Sequence, residues 1–175
     1  MASIERAEKL IEPYTKLLCE EIKQTAEIAN KLGLRLETVY FGGGTPTTLS
    51  AEQLDTVLGT VNKSFDMSTC REFTVEAGRP DTIDIAKLFA LKENKIDRIS
   101  INPQTVNDEV LKTIGRKHTA QQFFDAFELA RKCGFDNINT DLIAGLPTDY
   151  PESFKNSLDS IVRLNAECIT FTRCA

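Results

Sequence analysis

Thr38-Val39-Tyr40-Phe41-Gly42-Gly43-Gly44-Thr45-Pro46 is a short run of β-branched and aromatic residues that stops in three glycines, and its reading decides the fold. Such residues favour a pleated strand, and glycine ends it. Beyond the turn, Ser50-Ala51-Glu52-Gln53 has the form of a capping box that opens a helix through Leu54, Val57, Leu58 and Val61. The same unit then recurs. Glu72-Phe73-Thr74-Val75-Glu76 precedes a helix starting near Asp81. Arg98-Ile99-Ser100-Ile101-Asn102 precedes helices near Val106 and, from a second capping box Thr119-Ala120-Gln121-Gln122, near Ala120. Residues 138–143 precede a helix with Pro151 in its first turn, and Cys168-Ile169-Thr170-Phe171-Thr172 forms a fifth strand. Ahead of all this, Ile11, Tyr14, Leu18, Ile22, Ala26, Ala29 and Leu32 recur at helical steps over residues 4–32, and Gly33 supplies the C-cap of this leading helix, residues 1–33.

Strands separated by helical sequence at a spacing of roughly 30 residues imply consecutive right-handed βαβ units and a parallel sheet, so the fold class is α/β. A strand covered by helices on both faces reads as almost wholly apolar. These strands alternate instead. Thr74 and Glu76 oppose Phe73 and Val75; Ser100, Asn102 and Gln104 oppose Ile99 and Ile101; Asn139 and Asp141 oppose Ile138 and Leu142. One face lies under helices, and the other is polar across three strands, which suits a curved sheet lining a ligand cavity. Eight strands close a barrel and about five are present, so the expectation is a single domain over residues 1–175, a partial (β/α) barrel with its helices on the outer face. Because the chain opens on a helix and stops beside a strand, both ends read as cut from a longer protein.

Composition narrows the function. With 41% hydrophobic and 27% charged residues the chain can bury a core, and its net charge of −5 without a Lys/Arg run argues against nucleic acid. No apolar run is long enough for a membrane span or a signal peptide, which implies a cytoplasmic protein. Cys19, Cys70, Cys133, Cys168 and Cys174 are scattered without a C-x2-C pair, the pattern of free thiols in a reducing compartment rather than of a metal site.

Parallel β/α folds bind ligands at the C-terminal ends of their strands, where Gly42-Gly43-Gly44-Thr45-Pro46 falls. Glycines there let backbone amides approach a ligand, and Thr45 adds a hydroxyl. Glu76 and Gln104 end further strands on the polar face, and Asp141 points from the same face of a fourth. Two carboxylates in one cavity suit an ammonium and a ribose diol, and Arg116 is the guanidinium to clamp a carboxylate. A ligand-free ion network Glu76–Arg116–Asp141 is the alternative. Asp141-Leu142-Ile143-Ala144-Gly145-Leu146-Pro147 is another turn at the same edge. His118 reads as a surface residue, and Arg79-Pro80-Asp81 as a loop with an N-cap.

Together, Tyr40 to Pro46, Thr74-Val75-Glu76, Ser100-Ile101-Asn102-Pro103-Gln104, Ile114-Gly115-Arg116 and Asp141 to Pro147 resemble the radical S-adenosylmethionine proteins of the oxygen-independent coproporphyrinogen III oxidase family. The likeness runs from about residue 36 to the end; residues 76–82 and 98–105 are most similar to its coproporphyrinogen dehydrogenase branch. The resemblance implies that the backbone of Gly43 and Gly44, with Thr45, receives the methionine amino group, that Glu76 and Arg116 hold the methionyl moiety, that Gln104 and Asp141 contact the ribose, and that Ala175 meets the adenine. It implies a 4Fe-4S cluster that reduces S-adenosylmethionine to a 5′-deoxyadenosyl radical, coproporphyrinogen III as substrate, an electron donor protein as partner, and propionate decarboxylation to vinyl groups. Relatives with the same motifs carry haem instead, and a module that keeps the fold without cluster chemistry is the other alternative. The family holds its cluster with a CxxxCxxC loop upstream of the leading helix; no such triplet occurs here. This chain alone is therefore expected to make no radical and to bind S-adenosylmethionine weakly or not at all.

Overall fold

The structure, a computed structural model, describes residues 2–174. Five strands, β1 (Thr38–Phe41), β2 (Glu72–Glu76), β3 (Arg98–Ser100), β4 (Ile138–Ala144) and β5 (Cys168–Arg173), form one parallel sheet in the order β1-β2-β3-β4-β5. Helices α1 (Ala2–Lys31), α2 (Ala51–Ser64), α3 (Ile85–Glu93), α4 (Asp108–Thr113), α5 (Ala120–Lys132) and α6 (Pro151–Arg163) alternate with them. Each strand therefore pairs with its neighbour in sequence, the order that successive right-handed crossovers generate. Both expected capping boxes form: Ser50 with Gln53 opens α2, and Thr119 with Gln122 opens α5. Pro151 occupies the first turn of α6, where its missing N–H costs nothing. Gly33, at φ +64, ends α1 while Leu34 N donates to Ala29 O.

Alternation divides the two faces as the strands imply. Phe73, Val75, Ile99, Ile101, Ile138 and Leu142 pack with Leu54, Leu58, Leu88, Leu91, Phe123, Phe127 and Ile161 of the helices in one core. Their burial, at roughly 1.5–3 kcal/mol per large side chain, holds the helical layer on the sheet. On the other face several polar side chains satisfy one another. Asn139 Nδ2 donates to Ser100 Oγ at 2.7 Å and to Asp141 Oδ1 at 2.7 Å, and Thr170 Oγ1 donates to Asn139 Oδ1 at 3.0 Å. Glu72 accepts from Thr74 Oγ1 and faces Arg98 across 3.5 Å. No helix among the described residues is long and apolar enough to cross a membrane.

Three boundaries differ from the sequence reading. The helix after β2 begins at Ile85, not near Asp81, because Pro80–Thr82 closes a 3-10 turn and Asp84, accepting from Lys87 N at 2.9 Å, is the N-cap. Asn107 likewise caps α4, delaying it from Val106 to Asp108. β3 stops at Ser100, since Pro103 offers no N–H; pairing resumes only as an isolated bridge between Gln104 and Leu142.

Candidate functional site

At the end of β1 the three glycines do different work. A Cβ on Gly42 would collide with the Tyr40 ring and stand 2.9 Å from Glu76 Oε2, whereas Gly43 needs its φ of +104, and Gly44 faces open space. Thr45 is itself left-handed at φ +74, a conformation that costs a threonine roughly 1–2 kcal/mol. The segment that follows is tied down from outside. Lys87, reaching from α3, donates through Nζ to Thr47 O at 2.8 Å and Thr82 O at 2.9 Å, while the Thr47 and Thr82 hydroxyls meet at 2.6 Å. One ammonium thus joins the turn after β1 to the turn after β2.

Glu76 lies between those turns. Its Oε2 accepts from Gly43 N at 3.2 Å, and the carboxylate fits between two glycines, since a Cβ on Gly78 would come within 3.2 Å of Oε1. Tyr40 lies over the same corner. Partial burial, followed by the charges of Glu76 and Asp141, holds its phenol above the ordinary range and therefore neutral. Neither Glu76 nor Asp141 takes part in an ion pair among the described residues.

Gln104 is held in a left-handed turn at φ +69 and is 8% exposed. Its N–H donates to Asp141 O at 3.1 Å, and its carbonyl accepts from Ile143 N at 2.9 Å. Neighbours fix it further. Ser157 Oγ accepts from Val106 N at 3.1 Å, and His118 Nε2 donates to Pro103 O at 3.3 Å. His118 is thus buried, not a surface residue as read from the sequence, because the loop after α4 folds it inward beneath Pro103. Burial, reinforced by nearby Arg116, lowers its pKa against the opposing effect of the Pro103 hydrogen bond.

Arg116 follows Gly115, whose φ of +73 closes α4, and its own N–H donates to Leu111 O. Burial first and Arg79 second lower its pKa, with Asp81 opposing. The ion network Glu76–Arg116–Asp141 does not form among the described residues. Arg79 and Asp81, read as part of a loop with an N-cap, both act electrostatically on this guanidinium. Ala175 lies outside the described residues. The structure thus brings Gly43, Gly44, Thr45, Glu76, Gln104 and Asp141 to one edge, with Arg116 beside it. Lys87 and Tyr40 went unread as site residues, although Tyr40 was visible two residues before the glycines on the polar side of β1.

Among the described residues no three His, Cys, Asp or Glu side chains come together as a metal site, and the five cysteines are free. A groove of about 540 Å³ between α2 and α3, away from this edge, contains Asn94, which bonds Asp55 and Asn62. Those bonds make it a structural joint.

The profile of the radical SAM superfamily matches residues 4–161. The chain is 44% identical over 151 residues to the oxygen-independent coproporphyrinogen-III oxidase-like protein HemZ of Bacillus subtilis, covering 86% of this chain and 30% of that protein. It is 40% identical over 155 residues to the heme chaperone HemW of Lactococcus lactis, covering 88% and 39% respectively. The solved coproporphyrinogen III oxidase HemN from Escherichia coli, described as a radical SAM enzyme, superposes with a TM-score of 0.80 at 27% identity, over 93% of this chain and 38% of that one. The chain thus spans 30% to 39% of the length of these relatives.

Proposed function

The chain belongs to the radical SAM superfamily, and from that premise we propose that the C-terminal edge of its sheet is an S-adenosylmethionine site within an oxygen-independent coproporphyrinogen III oxidase-like protein. The observation that carries the reading is Glu76: an unpaired carboxylate seated between Gly42 and Gly78, fixed by the Gly43 N–H, beside open space above Gly44. The residues suit this ligand. Glu76 takes the ammonium, backbone groups at Gly43 and Gly44 with the Thr45 hydroxyl line the same end, and Gln104 and Asp141 face the ribose diol. Arg116 and Arg79 supply positive charge at the rim for an anionic group, consistent with the carboxylates of coproporphyrinogen III. S-adenosylmethionine supplies the radical chemistry of the superfamily. The described side chains do not suit a 4Fe-4S cluster, since no cysteines converge, and no step of this reading passes through one.

Titration of the ¹⁵N-labelled chain with S-adenosylmethionine tests the site: amide shifts at Gly43, Gly44 and Gln104 with weak affinity are expected, and their absence at saturating ligand refutes it. Similarity to HemW favours a second reading, haem carriage. A longer protein containing this chain and a three-cysteine loop, reconstituted without oxygen, is expected to release carbon dioxide from coproporphyrinogen III. Tight haem binding without turnover assigns the second reading instead.

A further inference from the structure

Asn102 continues the polar face of β3 between Ser100 and Gln104, and its side chain is 3% exposed. Its Oδ1 is wholly buried with no hydrogen-bond partner. An orphaned carbonyl of this kind costs about 1–3 kcal/mol, so the fold would be better served here by an apolar residue. The other end of the amide faces the site. Nδ2 lies 3.7 Å from the place where a Cβ on Gly78 would stand, and Glu76 Oε1 approaches the same place to 3.2 Å. Reversing the amide would set two acceptors against each other, so the donor belongs on this side. A carboxylate acceptor and a neutral amide donor therefore stand side by side over one glycine, in a cradle that any side chain at residue 78 would fill. An α-amino acid presents the complementary pair, an ammonium and a carboxylate on one carbon.

We infer that Asn102 is a binding residue for the amino-acid end of the ligand, its Nδ2 donating to the α-carboxylate while Glu76 accepts from the ammonium. The inference rests on the proposed S-adenosylmethionine site and adds Asn102 to the groups at its amino-acid end.

Three ligands separate the possibilities in titrations of the labelled chain: S-adenosylmethionine, decarboxylated S-adenosylmethionine, which keeps the amine, and 5′-methylthioadenosine, which lacks the amino-acid end. Asn102→Ala is expected to weaken S-adenosylmethionine about tenfold or more, the scale of a hydrogen bond to a charged group, and to leave the other two unchanged. Asn102→Asp, nearly isosteric, is expected to weaken S-adenosylmethionine further and to tighten the decarboxylated ligand, because a carboxylate there repels one and attracts the other. In the unmodified chain the Asn102 side-chain amide signals are expected to shift with S-adenosylmethionine alone, a readout that survives if a variant fails to fold. Equal weakening of all three ligands would make Asn102 a ribose contact and overturn the assignment, as would an unchanged affinity. A wild-type chain whose Gly43 and Gly44 amides ignore S-adenosylmethionine would instead overturn the site itself.

Discussion

The two edges of the sheet both contain left-handed residues other than glycine, but for different reasons. At the N-terminal edge, Lys95 and Asn165 have φ of +59 and +50. Each follows a helix whose last turn explains it: Ile96 N donates to Leu91 O beyond α3, and Asn165 N to Val162 O beyond α6. At the C-terminal edge, Thr45, Gln104 and Thr148 have φ of +74, +69 and +66, and none ends a helix. Distant groups hold Gln104, through β4 directly and through Ser157 and His118 at its neighbours. Thr45 is instead bonded locally to Gly43 and Thr48, and only the following Thr47 is tied down by Lys87 from α3. Strain at the N-terminal edge is local and self-explained, whereas at Gln104 it is maintained by the tertiary structure, the pattern expected where geometry serves a ligand.

The sharpest way to break this contrast is within the glycine triplet. Gly42→Ala drives a Cβ into Tyr40 and Glu76 and is expected to cost about 1–3 kcal/mol and to disturb the Gly43–Glu76 contact, while Gly44→Ala, facing open space, should leave stability unchanged. Denaturant midpoints of the two variants decide it; equal losses would mean that the triplet is merely a loop. Lys87→Met removes the donor to two carbonyls and is expected to destabilise by about 1–3 kcal/mol. Hydrogen exchange should rise at Thr48 and Leu49 and stay unchanged at Lys95 and Ile96. Lys95→Gly should relieve strain of roughly 1 kcal/mol and raise the melting temperature, Gln104→Gly should offset the same relief by the loss of a buried side chain, and only Gln104→Gly should weaken S-adenosylmethionine. Matching ligand effects would erase the distinction between the edges. The smallest effect is that of pH. Because the folded pKa of His118 is lowered, its contribution is complete above the unfolded value of about 6.5 and is lost as pH falls through the folded value. Acid unfolding followed with and without His118→Gln should show this slope diminished in the variant.

Period-2 alternation and cap chemistry made most of the fold legible. Both capping boxes, the proline start of α6 and the polar side of three strands depend on residues adjacent in sequence, and short-range rules reach them. The misread boundaries lie where two local signals compete, as at Pro80–Asp84, where a turn and a cap stand in succession. At the site, Glu76, Gln104 and Asp141 were visible because strand periodicity places them on one face. His118 was not placed correctly, since the direction of a side chain on a loop depends on what packs against it. Lys87 escaped notice because a lysine on a helix looks like any solvated charge until the two carbonyls that it reaches are known.

That lysine is also a chemical reporter. The Lys87 side chain is 16% exposed, and its amine is already committed to Thr47 and Thr82, whereas Lys16, Lys112 and Lys155 are more than 70% exposed. An acylating reagent reads such a difference directly: the exposed amines label at once, and Lys87 labels only when the turns after β1 and β2 separate. Its labelling rate therefore clocks the opening of the site's framework, and a ligand bound across those turns would slow the clock.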